Sequence, residues 1–269
     1  MLYRKGNTAM IKRAINDISK YFRYSVVAAK AKLKAEVAGS YLNWIWWILE
    51  PFCFMLIYTF IFGYVFNSRE QYFPVYIFSS LTLWNFFNKT VQSSVRMIKS
   101  NKQIVSKVYF PKYILLLTKM WVNAFKMMIS FGIVICMMVV FRIQITWNVL
   151  YIIPILCAFG LFTFGCGCFL MHFGVYVNDL YNVIHIVMRM MLYLTGIFYD
   201  LEKRIPEYGT LLNRYNPVAF LISNMRSCLI YGQTPHLKGL LIWFAVSLLL
   251  SIAGIRKIYK EENSYVKAI

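Results

Sequence analysis

The stretch VLYIIPILCAFGLFTFGCGCFLMHFGVYV, Val149 to Val177, decides the fold class. It runs for 29 residues without an Asp, Glu, Lys or Arg. A helix needs about 20 apolar residues to cross the hydrocarbon core of a bilayer, so this segment is long enough to span. Five more segments qualify: Trp44–Phe66, Val75–Val95, Tyr113–Phe141, Val183–Tyr199 and Leu237–Ile255. The expected fold is an all-α polytopic membrane protein with six transmembrane helices. Composition agrees. The chain of 269 residues is 60% hydrophobic and 14% charged, against about 45–50% and about 25% in soluble domains. These proportions argue against a soluble enzyme or binding module, and they exclude disorder.

The second segment is the most polar of the six. Asn85, Asn88, Lys89, Thr90, Gln92, Ser93 and Ser94 fill its second half. Such a half-helix is expected to face protein or a water-filled path, because lipid offers its polar groups no partners. Between the fifth and sixth segments lies the longest gap, Leu201–His236. Its apolar run Tyr215–Ile222 is too short to cross, which predicts a re-entrant or interfacial hairpin.

Charge orients the chain. Lys and Arg number 29 against 10 Asp and Glu, a formal net charge of +19. In a soluble protein that excess would suggest nucleic acid; here it suggests cationic loops on an anionic membrane face. Eighteen of the 29 cations fall in residues 1–43, in 96–112 and in the tail after Ile255, whereas the opposite side holds seven. Both termini are therefore expected in the cytoplasm, and the charge needs no nucleic acid to explain it. Within 11–37, Ile11, Ile15, Ile18, Phe22, Val26, Ala29, Leu33 and Val37 recur every three or four residues. That is one face of a helix, with most of the cations on the others. It fits a basic amphipathic helix on the inner leaflet, held by membrane lipids, or one packed on a partner protein. Residues 1–43 thus form a cytoplasmic N-terminal region and 44–269 a six-span membrane domain. The first forty residues show no leader pattern, so the first span is expected to direct insertion itself.

No chemical engine is visible. The chain lacks a G-x-x-x-x-G-K-[ST] phosphate loop, an H-E-x-x-H, a G-x-S-x-G elbow and paired carboxylates in an apolar span. His172, His185 and His236 are scattered. A membrane-embedded transferase would need a polar catalytic cluster, and none is evident; a pure scaffold would leave the polar half of the second span unexplained. Cys53, Cys136, Cys157, Cys166 and Cys168 lie inside apolar runs, with Cys228 apart, so cysteine reads as a small packing residue and not as a disulfide or zinc ligand. No catalytic or metal-ligating residue is expected, no cofactor bound by this chain, and energy for any work must come from another subunit.

Three patterns remain. Gly160, Gly167 and Gly174, seven apart, put glycine on one stripe of the fourth span, which suits close helix packing or a sliding surface. Lys89, Lys119, Lys126 and Arg189 lie within spans. A cation at the bilayer centre costs about 2.5–3.5 kcal/mol on insertion scales, so these either snorkel to an interface or line a polar path able to attract a phosphate. Trp44, Trp46 and Trp47 open the first span, and Trp84, Phe86 and Phe87 sit in the second. They form an interfacial aromatic belt or a lining that stacks on sugar rings.

The stretch Asn101-Lys102-Gln103-Ile104-Val105-Ser106-Lys107-Val108-Tyr109-Phe110-Pro111-Lys112 resembles the motif after the second span of ABC-2 type permeases that export cell-surface polysaccharides (capsule, O-antigen or teichoic acid). Leu42 to Phe62, with Trp46, Pro51, Tyr58, Thr59 and Phe62, is similar to the family's first span. Asn216-Pro217 with Arg226 and Pro235 is similar to the segment before its last. The resemblance covers nearly the whole chain. It implies six spans, an N-terminal interfacial helix and two short re-entrant helices before the sixth. It implies a dimer with a second copy of the chain, two copies of a cytoplasmic ATP-binding subunit carrying ATP and Mg, and a lipid-linked glycan as substrate. Asn101, Lys102, Ile104, Val105, Lys107, Phe110 and Pro111, within coupling region 96–112, would contact the ATPase. Asn216, Pro217 and Arg226, within 201–236, would belong to an outer gate. Relatives that export drugs, peptides or lipids leave an alternative cargo open. The chain departs from the family pattern in three places. A basic run usually ends in Ser-x-Leu-Gly before the first span, but here Glu36–Asn43 keeps Ser40 and Leu42 without the charges and the glycine. Glu50 precedes Pro51 where Asn is usual, and Leu116 stands where proline is common.

Overall fold

The computed structural model describes residues 2–38, 42–66, 70–107, 110–205, 207–262 and 264–265, with side chains in the first helix described for 13 and from 16 onward. Several residues named above lie outside these: Ser40, Val108 and Tyr109, and the side chains of Ile11 and Ile15; so do two of the cations counted above, Arg69 and Lys267. Every regular element among the described residues is helical. In chain order they are α1 (Leu2–Ala38), α2 (Asn43–Tyr58), α3 (Phe73–Val95), α4 (Met97–Ser100), α5 (Lys102–Lys107), α6 (Tyr113–Val140), α7 (Ile152–Tyr176), α8 (Leu180–Leu194), α9 (Leu201–Arg204), α10 (Gly209–Tyr215), α11 (Pro217–Leu229) and α12 (Leu237–Lys260). A π-helical turn, Thr59–Val65, extends α2, and a 3₁₀ turn, Trp147–Tyr151, leads into α7.

Among the described residues four helical stretches are long and apolar enough to cross a membrane: Asn43–Val65, Tyr113–Val140, Trp147–Tyr176 and Leu237–Lys260. The other two expected spans are also helices. α3 is long but carries the polar half already noted. α8 has 15 residues, about 22 Å at 1.5 Å per residue, short of the roughly 30 Å hydrocarbon core. The expectation that the fifth segment continues to Tyr199 is corrected. The chain leaves the helix after Leu194 and turns at Gly196, whose φ of +66° suits glycine and ends the helix.

α3 is the centre of the bundle. Seventeen of its 23 residues are buried, so α2, α6, α7, α8 and α11 enclose it and its polar half never needs to meet hydrocarbon. Its hydroxyls fold back on their own helix: Ser79 and Ser80 donate to the Tyr76 carbonyl, Thr82 to Phe78 and Thr90 to Phe86. Asn123 of α6 then donates to Thr90 Oγ1 at 2.8 Å. The outer faces of the surrounding helices, such as Phe54 on α2 and Phe60 and Tyr64 on its π-helical extension, are exposed.

Small residues set the closest approaches. α7 meets α12 through Gly165 and Gly254, and Ser251 Oγ donates to the Leu161 carbonyl at 2.7 Å. Gly174 meets the end of α3, where an added Cβ would collide with the Val95 carbonyl oxygen. Gly167 receives the side chain of Leu116. The expected single glycine stripe is corrected at Gly160. Nothing lies within 4 Å of a Cβ there, because Gly160 opens on an apolar cleft of about 870 Å³ beside Trp121 and Leu248.

One end of the bundle gathers α1, α4, α5 and the C-terminal residues; it is called the basic end below. Tyr259 donates to Asp17 Oδ2 at 2.5 Å and lies 3.0 Å from the Tyr113 hydroxyl, so one chain of polar contacts ties α1, α12 and α6. His172 Nδ1 is 2.8 Å from the buried Tyr265 hydroxyl. α1 lies across α6, with Phe22 edge-on to Trp121 at 5.6 Å. Ser25 and Ala29 are buried, and Lys20, Arg23, Lys30, Lys32 and Lys34 are exposed.

Gly174→Ala should disrupt the α3–α7 crossing, since backbone cannot yield as a flexible side chain does. Overpacking of this kind costs about 1–3 kcal/mol or more. Gly160→Ala should be neutral or slightly stabilising. Melting of the two purified variants in one detergent checks the contrast.

Candidate functional site

A cavity of about 250 Å³ opens between α2, α3, α6 and α8. α2 contributes Trp47 and Glu50. α3 contributes Trp84, Asn85, Asn88 and Lys89, which is the polar half of the second expected span. α6 contributes Asn123 and Lys126. The geometry follows from helix periodicity: Asn85, Asn88 and Lys89 are three and four residues apart and so share a face, as do Asn123 and Lys126.

Each cavity lysine meets a carboxylate. Lys126 Nζ lies 2.5 Å from Glu36 Oε2 at the end of α1, and 5.2 Å from the Trp47 ring centroid. Lys89 Nζ lies 3.5 Å from Glu50 Oε1. All four side chains keep part of their surface open. The wall is extended by polar contacts on α3 and α8, where Gln92 donates to Asn88 Oδ1 at 2.6 Å and His185 Nδ1 sits 3.2 Å from Gln92 Oε1.

The structure thus brings together Trp47, Trp84, Phe86, Lys89 and Lys126 of the residues predicted from sequence. It does not bring in the rest. Trp44 and Trp46 are exposed on the outer side of α2. Phe87 packs into the core against Phe159 and Phe162. Lys119 is half-buried away from the cavity, and Arg189 is exposed on α8. Sequence reasoning missed Glu36, Glu50 and Asn123 as cavity or counterion residues. One signal was available: Glu50 is the one acidic residue within the six apolar segments.

At the basic end, the Asn101 segment forms a compact turn. Asn101 Nδ2 donates to the Met97 carbonyl at 2.7 Å, and the Asn101 carbonyl accepts from Ile104 and Val105. Val105, Phe110 and Pro111 are buried. Ile104 is 44% exposed between exposed Lys102 and Lys107. Lys112 is buried behind them; desolvation lowers its pKa, partly offset by the Glu262 charge.

The opposite end is held by charge. Asn216 caps α11, its side chain accepting from the Val218 and Ala219 amides, with Pro217 in the first turn. That arrangement suits both residues, since proline needs no amide partner there. Arg226 is buried. It donates to the Gly196 carbonyl at 2.8 Å and lies 4.0 Å over the Tyr76 ring. Lys203 grips both oxygens of Glu70 at 2.9 and 2.8 Å, and Tyr231 donates to the same carboxylate at 3.2 Å. The hydrogen bond to Glu70 raises the Lys203 pKa. Burial, reinforced by the Glu70 charge, pushes Tyr231 up to about 12. Among the described residues no group of three His, Cys, Asp or Glu side chains is placed to hold a metal, and all six cysteines are free thiols.

Membrane-length apolar helices wrapped around a polar one, with charges gathered in a cavity beside it, define a multi-pass membrane protein. More particularly, the chain belongs to the ABC-2 type transporter family, whose sequence pattern matches residues 27–230. It is similar to the O-antigen export system permease protein RfbA of Klebsiella pneumoniae, at 25% identity over 87% of this chain and 90% of that one. It is similar to the protein of the same name from Myxococcus xanthus, at 23% identity over 96% and 99%. The polysialic acid transport protein KpsM of Escherichia coli is 22% identical over 87% and 95%.

Arg226→Met should leave the buried Gly196 carbonyl without a donor and cost about 1–3 kcal/mol. Lys203→Ala should likewise cost about 1–3 kcal/mol, because it takes both ammonium contacts from the nearly enclosed Glu70 carboxylate and leaves it to Tyr231. Melting of the purified proteins measures both costs.

Proposed function

We propose that the chain is the membrane permease half of an ATP-driven exporter that moves a lipid-linked polysaccharide outward across the cytoplasmic membrane of a bacterial cell. Two copies of the chain would pair with two copies of a cytoplasmic ATP-binding subunit. The observation that carries this reading is the match, over most of the chain, to relatives named for O-antigen export and polysialic acid transport. The cavity supports it chemically. The partly open Trp47 ring suits the apolar faces of sugars, asparagines suit their hydroxyls, and lysines suit a phosphate linkage.

The topology is proposed with it. α2, α3, α6, α7, α8 and α12 are the six spans, both termini are cytoplasmic, and α1 is the amphipathic interfacial helix. The basic end is then the inner face, as the excess of Lys and Arg in residues 1–43, 96–112 and the tail favours. α10 and α11, hinged at Asn216-Pro217, form the re-entrant hairpin of an outer gate. Arg226 ties that hairpin to α3, and Tyr231, just past α11, ties it to Glu70 of the first outer loop.

In this reading the ATPase docks on the Asn101 turn. Exposed Ile104, flanked by Lys102 and Lys107, supplies an apolar anchor with a cationic rim, while buried Val105, Phe110 and Pro111 transmit its position to α6. A truncated central anchor typically weakens an interface about tenfold or more. Ile104→Asp should therefore cut the ATPase activity of the co-purified complex by at least that factor while leaving the permease folded in membranes. Expression with the ATP-binding subunit in a strain lacking its own glycan permease should restore surface polysaccharide. A chain that purifies alone, stimulates no ATPase and restores no glycan would overturn the reading.

A further inference from the structure

Glu70 and Lys203 show how this chain builds a permanent ion pair. Glu70 is nearly enclosed, both its oxygens face the ammonium, and Tyr231 adds a third bond. The two pairs in the cavity are built differently. Lys89 and Glu50 are each about half exposed and touch at a single 3.5 Å contact. Lys126 and Glu36 are closer, but the Glu36 side chain keeps 38% of its surface and comes from the end of α1, a different element from the cavity walls. Among the described residues neither carboxylate has a second hydrogen-bonding partner, although the Glu36 charge also reaches Lys119, whereas Lys126 has the Trp47 ring to stay beside. These are contacts that can be exchanged.

Both carboxylates also stand where the chain departs from the family pattern, Glu36 in the segment before the first span and Glu50 before Pro51. Lys126 and Lys89 lie 90 and 39 residues away from them in sequence. The departures therefore supply the counterions of the two lysines in the cavity.

Resting on the reading of this cavity as part of the substrate path, we propose that Glu36 and Glu50 are displaceable counterions. They neutralise Lys126 and Lys89 while the cavity is empty, and a diphosphate group on the lipid anchor of the substrate takes their place. The exchange favours the ligand for a physical reason. A carboxylate brings one negative charge and two oxygens to one lysine, whereas a diphosphate joined to lipid and sugar at its two ends brings about −2 on a single group with four non-bridging acceptor oxygens. The cavity has room for several waters, so the leaving carboxylates can be solvated as they swing away. A neutral ligand gains nothing from the lysines and cannot displace their partners. The pair of glutamates thus acts as a selectivity filter that admits the anionic head of the substrate and leaves the following sugars to the aromatic and amide groups.

The test measures binding to the purified permease–ATPase complex, with its nucleotide sites saturated by ADP. The probes are farnesyl diphosphate, inorganic diphosphate and farnesol. Removing a competing exposed carboxylate should tighten diphosphate binding by about threefold for Glu36→Gln or Glu50→Gln alone and about tenfold for both together. Lys89→Gln with Lys126→Gln should weaken it by about tenfold or more. Farnesol binding should change in none of them, and farnesyl diphosphate should bind more tightly than inorganic diphosphate. The single variants keep the test open should a double variant fail to fold, and melting of each complex reports on that. Unchanged or weaker diphosphate binding in a folded Glu→Gln variant overturns the proposal. So does an equal gain for farnesol. Equal binding of inorganic and farnesyl diphosphate overturns the assignment to a lipid anchor. Glycan export in the complemented strain is scored separately. A complex that exports glycan but shows no exchange overturns the counterion role alone, whereas exchange without glycan export overturns the reading of the transported substrate.

Discussion

The polar half of α3 has to be kept out of hydrocarbon, and the rest of the bundle is arranged around that requirement. A helix that satisfies its own backbone can cross a bilayer, but Asn85, Asn88, Lys89 and Gln92 carry side-chain groups that lipid cannot partner. Enclosure by α2, α6, α7, α8 and α11 removes the cost. The hydroxyls of Ser79, Ser80, Thr82 and Thr90 turn back on carbonyls of α3 itself, so the helix can be buried without leaving them orphaned. The larger amides and the lysine cannot do this, and the cavity forms where they emerge.

Enclosure in lipid cannot rely on the hydrophobic effect, because acyl chains are as apolar as leucine; it relies on close packing. This accounts for the glycines better than a stripe does. Gly165 and Gly254 let α7 and α12 touch, Gly174 admits the end of α3, and Gly167 admits Leu116. Each serves a different neighbour. A period of seven keeps Gly160, Gly167 and Gly174 on one face of α7, but α3, α6 and α12 cross α7 at different levels, and at the level of Gly160 none of the described residues lies within reach.

Much of the fold was legible in the sequence because hydropathy is a local property. The six apolar segments each fold as a helix, and the weak second segment is the buried one for the reason its asparagines suggested. Boundaries that depend on one residue were less legible. Nothing in Val183–Tyr199 marks Gly196 as a left-handed turn, since a glycine inside an apolar run is equally at home in a helix packed closely on another. The site was legible by residue type and not by partner. Trp84 and Phe87 are three residues apart on one helix and chemically alike, yet one lines the cavity and the other meets Phe159 and Phe162 of α7. Only the placement of α7 separates them, and that placement depends on contacts some 75 residues distant in sequence.

The three departures from the family pattern share one explanation, which is a partner in space. Leu116 replaces a residue type that would stop short of α7, and its side chain fills the groove over Gly167. Glu36 and Glu50 would each be a liability alone, since a carboxylate beside hydrocarbon raises the cost of insertion. Each stands against a lysine that would be a liability alone as well. Opposite charges brought to one place by separate helices cancel that cost only when both are present, so neither the lysines nor the glutamates can be read singly. The surplus of cations in the chain obscures this, because with 29 Lys and Arg against 10 Asp and Glu most cations can have no carboxylate. At the cationic end the bilayer surface and bulk water accommodate the excess. In the cavity the counter-charge comes from the protein itself, and it is there that two of the scarce acids stand.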